Sequence, residues 1–217
     1  MEIKENVMKK TNINMLFSIP VMEVQLDLDL EKLTEFAFQL QDKDKKGSYR
    51  TNEGGWRSND IDDEENHEEF IKLKKEITQY VQKYHLEIFG NIKFNENVIQ
   101  DLGNIWVNIN KKYHYNESHI HSFSTLSGTF YIKHDGYVEN GSIEFKHPSH
   151  ISMIDVHWPV GLVEKHNFIT TPYIKFTPKP NMLLIFPSWL EHKVDINLKD
   201  EPRITAGFNS SAIPSGV

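Results

Sequence analysis

Three histidines fall within eight residues of the stretch Tyr113 to Tyr131, at His114, His119 and His121. His119 and His121 are separated by a single residue. On an extended strand such a pair projects to one face, its backbone positions about 6 to 7 Å apart. Two imidazoles so placed suit one transition metal, because imidazole binds iron, zinc, copper and nickel. An HxH pair is also common without a ligand, so a metal site needs a third ligand. The best source is FPSWLEH, residues 186–192. The apolar run Met182 to Phe186 reads as a fully buried strand, the PKPN turn leads into it, and the chain beyond Pro187 carries His192 toward the mouth of a barrel. Eleven residues later Arg203 opens the strand RITAGF, where alternation sets Arg203 and Thr205 on one face and Ile204 on the other. An inward arginine is a costly buried charge without an anion. This end of the chain therefore points to a ligand bearing a carboxylate or phosphate.

The ordered set NIN, HIH, LSGTFYIK, GSIEF, LLIFPSWLEH and RITAGFN resembles the 2-oxoglutarate and iron(II)-dependent oxygenases, in particular a small branch met in marine bacteria and their phages. LFSIPV (Leu16 to Val21) and GGWRSND (Gly54 to Asp60) also look like that branch, so the resemblance runs over nearly the whole chain, with its motifs concentrated in residues 104–209. It implies a double-stranded β-helix of jelly-roll, cupin-like form, with Fe(II) in its mouth, 2-oxoglutarate bound to the metal and O2 as the further cosubstrate. It also implies that Arg203, eleven residues after the distal histidine, pairs with the far carboxylate of 2-oxoglutarate, with Thr205 completing an R-x-S/T pattern. One position departs from the family. The common pattern is His-x-Asp/Glu followed by a distal histidine, a facial triad with one carboxylate, whereas the second position here is His121. Either His119, His121 and His192 hold the metal together, or a carboxylate comes from elsewhere. Glu117, two residues before His119, and Glu144 are the candidates. The three-histidine set is preferred.

The remaining pattern supplies the elements that would position these residues. Residues 1–14 carry no period and read as a flexible leader. Leu16 to Leu26 alternates as a strand, with Pro20 favouring an edge or a strand start. Asp29 can cap a helix over 30–42 that presents Leu30, Leu33, Ala37 and Leu40 at helical spacing. In the polar stretch Asp42 to Asp60, Trp56 and Arg57 read either as part of a solvated connection or as a lid contacting ligand. Asp62 or Asp63 would cap a second helix, whose stripe Phe70, Leu73, Ile77, Tyr80, Val81, Tyr84 and Ile88 opposes a Glu/Lys-rich face and stops at Gly90. From residue 98 the period is two. Ile105, Val107 and Ile109 share one face, and Trp106, Asn108 and Asn110 the other. Interior amides need partners, so Asn108 and Asn110 are candidates to bind substrate or 2-oxoglutarate, against satisfied amides on an edge strand. Tyr131, on a strand over 127–133, is a candidate donor to a ligand carboxylate, against a core aromatic. The insertion 146–166 reads as a cover over the barrel mouth, and its His147, His150 and His157 read as solvated residues. The predicted fold is mainly β with flanking helices: one domain over 1–217, with a double-stranded β-helix core over 98–210 braced by two N-terminal helices within 15–97.

Composition narrows the function classes. The chain has 217 residues and no cysteine, which removes disulfide frameworks and thiolate metal sites. No apolar run approaches the roughly 18 residues of a membrane span, and the polar start lacks a signal-peptide core. Cytoplasmic location with no membrane partner is therefore expected. The net charge of −7 argues against a broad nucleic-acid surface. A homodimer stays open. Three functions compete. The first is a 2-oxoglutarate-dependent dioxygenase that hydroxylates a small molecule or peptide and releases succinate and CO2. The second is a cupin-like three-histidine metalloprotein, either a dioxygenase without 2-oxoglutarate or a zinc enzyme. The third is a barrel that binds ligand without catalysis. Arg203 separates the first from the second, because only the first needs a carboxylate partner at that position.

Overall fold

A computed structural model describes residues 18–61, 67–89, 98–149, 164, 165, 167 and 170–214, with backbone alone for 98–101 and 212–214. The expected leader, Asp62, Asp63, Gly90, His150, His157 and most of the 146–166 insertion lie outside those residues. Two antiparallel sheets face each other. The first holds β1 (Met22–Gln25), β9 (Met182–Pro187), β6 (Leu126–Lys133), β11 (Arg203–Pro214), β4 (Val98–Asn110) and β3 (Trp56–Arg57), in that order. The second holds β2 (Asn52–Glu53), β5 (Tyr115–His119), β10 (His192–Val194), β7 (Ile143–Lys146) and β8 (Tyr173–Phe176). Two helices, α1 (Leu30–Lys43) and α2 (Glu68–Ile88), complete the described elements, with a short 3-10 turn at Val138–Asn140.

Side-chain alternation gives the first sheet two different faces. Ile105, Val107 and Ile109 of β4, Phe130 and Ile132 of β6, Leu183 and Ile185 of β9, and Ile204, Ala206 and Phe208 of β11 join one core cluster with α1 and α2. The helices contribute the stripes Leu33, Phe36, Ala37, Leu40 and Phe70, Leu73, Ile77, Val81, Tyr84, all buried. The Asp29 carboxylate accepts the Lys32 amide at 3.1 Å and caps α1. His67 caps α2 by accepting from the Phe70 amide. The opposite face of the first sheet meets the second sheet. Tyr131, Met182, Leu184 and Phe186 pack there with Ile143, Phe145 and Leu190 in a smaller core. β9 is buried along its whole length, as its unbroken apolar run requires. The turn before it uses Asn181 at φ 62°, a conformation asparagine tolerates.

Trp56 differs from the lid expectation. It is buried, belongs to the helix-facing core, pairs with Ile109 of β4, and donates its indole N–H to the Asp44 carbonyl at 2.8 Å. A side chain fixed on that side of the sheet cannot close over a ligand. No described helix is long and apolar enough to cross a membrane.

Candidate metal centre

The space between the sheets that the apolar residues leave open is a cavity of about 540 Å³. Its floor and one wall come from the polar positions of the first sheet: Asn104, Trp106 and Asn108 of β4, Thr129 and Tyr131 of β6, and Arg203, Thr205, Gly207 and Asn209 of β11. The register aligns them, with Thr205 opposite both Asn108 and Tyr131, and Gly207 opposite Trp106 and Thr129. The second sheet supplies His119 and His192, which face each other as direct partners across β5 and β10.

His119, His121 and His192 converge on this cavity, each offering one ring nitrogen, and these atoms lie within 4.8 Å of one another. β5 ends at His119, so His121 sits just past the strand, with its amide donating to the Ser188 carbonyl at 2.9 Å. Nδ1 of His119 is 2.6 Å from the Glu117 carbonyl, and Nδ1 of His192 is 2.9 Å from the Leu190 carbonyl. A ring N–H committed to a carbonyl leaves the other nitrogen with its lone pair free, the tautomer a metal requires. Burial keeps all three rings neutral. It lowers His119 below the ordinary imidazole range against the pull of the Glu117 carbonyl. It brings His121 down to about 4, with His119 and Arg57 adding to the effect. It holds His192 well below its usual value, with His119 the next cause. Three neutral nitrogen donors on one cavity wall fit a transition-metal ion.

Neither alternative carboxylate approaches this cluster. Glu117 is exposed and outside the cavity lining, its backbone engaged with Thr51 and His119. Glu144 forms ion pairs with Lys175 at 3.5 Å and Lys193 at 3.1 Å. His147 also lies outside the lining, its Nδ1 accepting the Ser149 amide.

Arg203 is almost fully buried. Its Nη1 donates to the carbonyls of Asn140 at 3.1 Å, Asp195 at 3.3 Å and Gly141 at 3.5 Å. Its Nη2 is buried and has no hydrogen-bond partner. Gly141 makes this geometry possible: its φ is +89°, and a Cβ there would lie 1.8 Å from Nη1. Burial lowers the guanidinium to about 10, opposed by Tyr131 and Asp195, so it is charged at neutral pH. Orphaned buried donors are costly, and Arg203 is among the residues lining the cavity that holds the histidines. A carboxylate fits it. The Tyr131 phenol, raised by burial, is a hydrogen-bond donor at every ordinary pH. Asn108 shows the same lack: its Oδ1 is unpartnered while its Nδ2 reaches Thr205 Oγ1 at 3.5 Å. Asn110 behaves differently. It lies outside the cavity lining and donates its amide to Asn52.

Among the lining residues that escaped the sequence reading are Asn104, Asn209 and Asp60. The period of two, followed past Thr205 to Gly207 and Asn209 and back from Trp106 to Asn104, marks the first two. Asp60 carries no such signal.

Residues 104–209 match the sequence model of the family described as "Putative 2OG-Fe(II) oxygenase". No curated protein matches the chain. Among solved structures, a prolyl-4-hydroxylase from Pseudomonas putida superposes with a TM-score of 0.59 at 12% identity, covering 89% of this chain and 94% of that one. The α-ketoglutarate-dependent epimerase SnoN of nogalamycin biosynthesis gives 0.57 at 15% identity, covering 92% and 83%. HygX from Streptomyces hygroscopicus, seen with nickel and 2-oxoglutarate bound, gives 0.57 at 10% identity, covering 89% and 83%. Those likenesses establish the fold as that of the 2-oxoglutarate oxygenases. Over residues 104–209 the chain is thus similar in sequence to the 2OG-Fe(II) oxygenase family.

Proposed function

We propose that the protein is an Fe(II)- and 2-oxoglutarate-dependent hydroxylase, with His119, His121 and His192 as the metal ligands. Arg203 and Thr205 receive the far carboxylate of 2-oxoglutarate, and Tyr131 and Asn108 line its path. The observation that carries this reading is the partnerless Nη2 of buried Arg203 in the same cavity as three converging imidazoles. A cupin-like metalloprotein without 2-oxoglutarate leaves that donor unanswered, and a non-catalytic barrel leaves the three neutral histidines without a purpose. Asn110, committed to Asn52, serves the wall rather than the ligand.

Bound here, iron with 2-oxoglutarate and O2 supplies the oxidation, inserting one oxygen atom into a substrate C–H bond and releasing succinate and CO2. The chain's residues orient and enclose. The three neutral rings fix a ligand face without titrating near neutral pH. Arg203 is held in place by the bonds from Nη1 to three carbonyls, which pre-organises its guanidinium beside the cavity. Tyr131 and Thr205 present hydroxyls from adjacent strands, and the buried β9 behind Phe186 keeps water from that end. The cavity extends past the metal cluster to Arg50, Arg57, Ser122 and Phe123, which leaves room for a small molecule or a peptide side chain as substrate. Both sheets and both helices form one domain in this reading, a double-stranded β-helix braced by α1 and α2.

The deciding experiment is an oxygen-free titration of the ferrous protein with 2-oxoglutarate, followed by visible absorption. A saturable new band supports the reading. Metal binding with no response to 2-oxoglutarate overturns it in favour of the cupin-like alternative.

A further inference from the structure

The loop between β5 and β6 carries Phe123, whose side chain is wholly exposed to solvent. Its backbone is left-handed, at φ +65°. A bulky residue carries steric strain in that region, which glycine or asparagine largely avoids. The strain is imposed from both sides. The His121 amide donates to the Ser188 carbonyl at 2.9 Å, the Ser188 hydroxyl to the Ser124 carbonyl, and the Ser188 amide to the Thr125 carbonyl at 3.2 Å. The Thr125 amide donates to the Ser210 carbonyl at 2.9 Å, and Ser211 Oγ to the Phe123 carbonyl at 3.3 Å. The loop is thereby tied to β11 and to the turn after β9. Phe123 gives the fold neither packing nor a favoured backbone. Strained residues cluster at ligand-binding sites, and Phe123 lines the cavity that holds the three histidines. Ile120, about half exposed, lines it too, and Trp189, also about half exposed, follows Ser188. Three large apolar side chains therefore stand in water on the two segments that the His121–Ser188 bond joins.

A second feature of the same mouth is a strand edge. β10 covers one side of β5 as far as His119. On the other side β2 pairs only with Tyr115 and Asn116, and the last bond runs from the Glu117 amide to the Thr51 carbonyl at 2.9 Å. The chain bends at Arg50 and Thr51, so Ser118 and His119 have no strand partner on that side among the described residues. An open strand edge is a template for an extended peptide. This edge ends at a proposed metal ligand and leads directly to Ile120 and the Phe123 loop. We propose that the substrate is a polypeptide that adds in extended form to the outer edge of β5, sends one side chain into the cavity toward the histidines, and covers Phe123 with a neighbouring apolar side chain. Phe123 is then the specificity-determining residue. This rests on the reading of the cavity as an oxygenase site. A free small molecule enclosed in the cavity uses neither the backbone edge nor a ring directed into water.

The test selects a displayed library of random linear peptides against the full chain loaded with Co(II) and 2-oxoglutarate under oxygen-free conditions. Selected peptides are synthesised, and their dissociation constants for wild type and Phe123→Asn are measured by fluorescence anisotropy. The peptides should share an apolar residue at one fixed position. Phe123→Asn should melt no lower than wild type, since it removes no buried contact and asparagine tolerates the left-handed backbone. It should weaken peptide binding by about tenfold or more, as for an aromatic anchor. Methylating the peptide amides one at a time should weaken binding at alternate positions, because only every second amide of an added strand faces its neighbour. Selection of no peptide, equal affinity in Phe123→Asn, a marked fall in its melting temperature, or methylation effects without alternation overturns the proposal. The oxygen-free 2-oxoglutarate titration of the ferrous wild type is recorded separately. A saturable band without peptide binding overturns this proposal alone, whereas the lack of a band overturns the oxygenase reading on which it rests.

Discussion

Replacing Arg203 by Met is the most direct perturbation of the proposed 2-oxoglutarate site. Methionine fills much of the volume but offers no charge and no donor. Nη1 is already committed to the carbonyls of Asn140, Gly141 and Asp195, and Nη2 is the buried donor left without a partner. Counting the one donor known to lack a partner, the ligand loses at least one charged hydrogen bond. Such a bond contributes about 1.5 to 3 kcal/mol, equivalent to roughly 10- to 150-fold in affinity at about 1.4 kcal/mol per decade. The assay is thermal melting of the metal-loaded, oxygen-free protein with and without 2-oxoglutarate. At about 100 times the wild-type dissociation constant, the ligand stabilises wild type by about 2.7 kcal/mol, a rise of roughly 5 to 11 °C for a chain of this size. At the same concentration Arg203→Met should gain only about 0.3 to 1.3 kcal/mol, a rise of roughly 1 to 5 °C. The variant also strands three carbonyls and should melt lower in every state, but that loss cancels in the difference with and without ligand. A wild-type ligand-induced shift in Arg203→Met would refute the assignment of Arg203 to the far carboxylate.

Gly141→Ala tests the same arginine from behind. A Cβ at this position would sit 1.8 Å from Nη1 and 2.6 Å from the Asp195 carbonyl, on a backbone at φ +89°. The variant should lose 2-oxoglutarate affinity as Arg203→Met does and be destabilised by about 1 to 3 kcal/mol; calorimetry showing wild-type affinity would count against the anchoring role of Nη1. Trp56→Ala should cost about 3 to 5 kcal/mol in denaturant unfolding, as for a truncated core tryptophan, whereas a solvated or lid residue would cost almost nothing. The metal-free protein should lose stability as pH falls from about 6.5, the ordinary imidazole value, toward 4. The pKa values of His119, His121 and His192 are depressed in the folded state, so the unfolded chain binds more protons in that window and stability rises with pH. Burial depresses His85, His114 and His134 in the same direction. His192→Gln should therefore flatten the decline rather than abolish it, and a slope equal to wild type would contradict the buried, neutral state of His192.

The elements with a long repeat were legible in the sequence. The stripe from Phe70 to Ile88 and the capped helix after Asp29 follow the 3.6 period and appear as α2 and α1. The apolar run before Pro187 appears as a strand buried throughout. The candidate ligands were legible as types, because HxH, a distal histidine and an inward arginine each carry a chemical demand. What joins them was not. His192 lies opposite His119 because β5 and β10 pair across more than seventy residues of chain, and no local pattern encodes that register. His121 was read as part of the same strand as His119, but the strand stops one ligand short. Trp56 was ambiguous because β3 is two residues long, too short to show a period. Asn110 continues the alternation of Trp106 and Asn108, yet it does not line the cavity and its amide is taken by Asn52. Alternation fixes a face, not how far along that face the open space runs.

In the proposed site, His121 in the place of a carboxylate ligand would change the electrostatics of the whole cavity. With a carboxylate ligand, a ferrous ion would keep one net positive charge; with three neutral imidazoles it keeps both. Arg203 adds another charge at the far end, and Arg57 is offset by Asp60. No described carboxylate approaches the metal cluster closely enough to join it. The proposed site would therefore be short of negative charge at both ends, and a dianion with one carboxylate for the metal and one for Arg203 would supply it. In a buried space this attraction is screened far less than between surface charges. The same excess charge penalises a positively charged His121, whose depressed pKa already includes repulsion from Arg57.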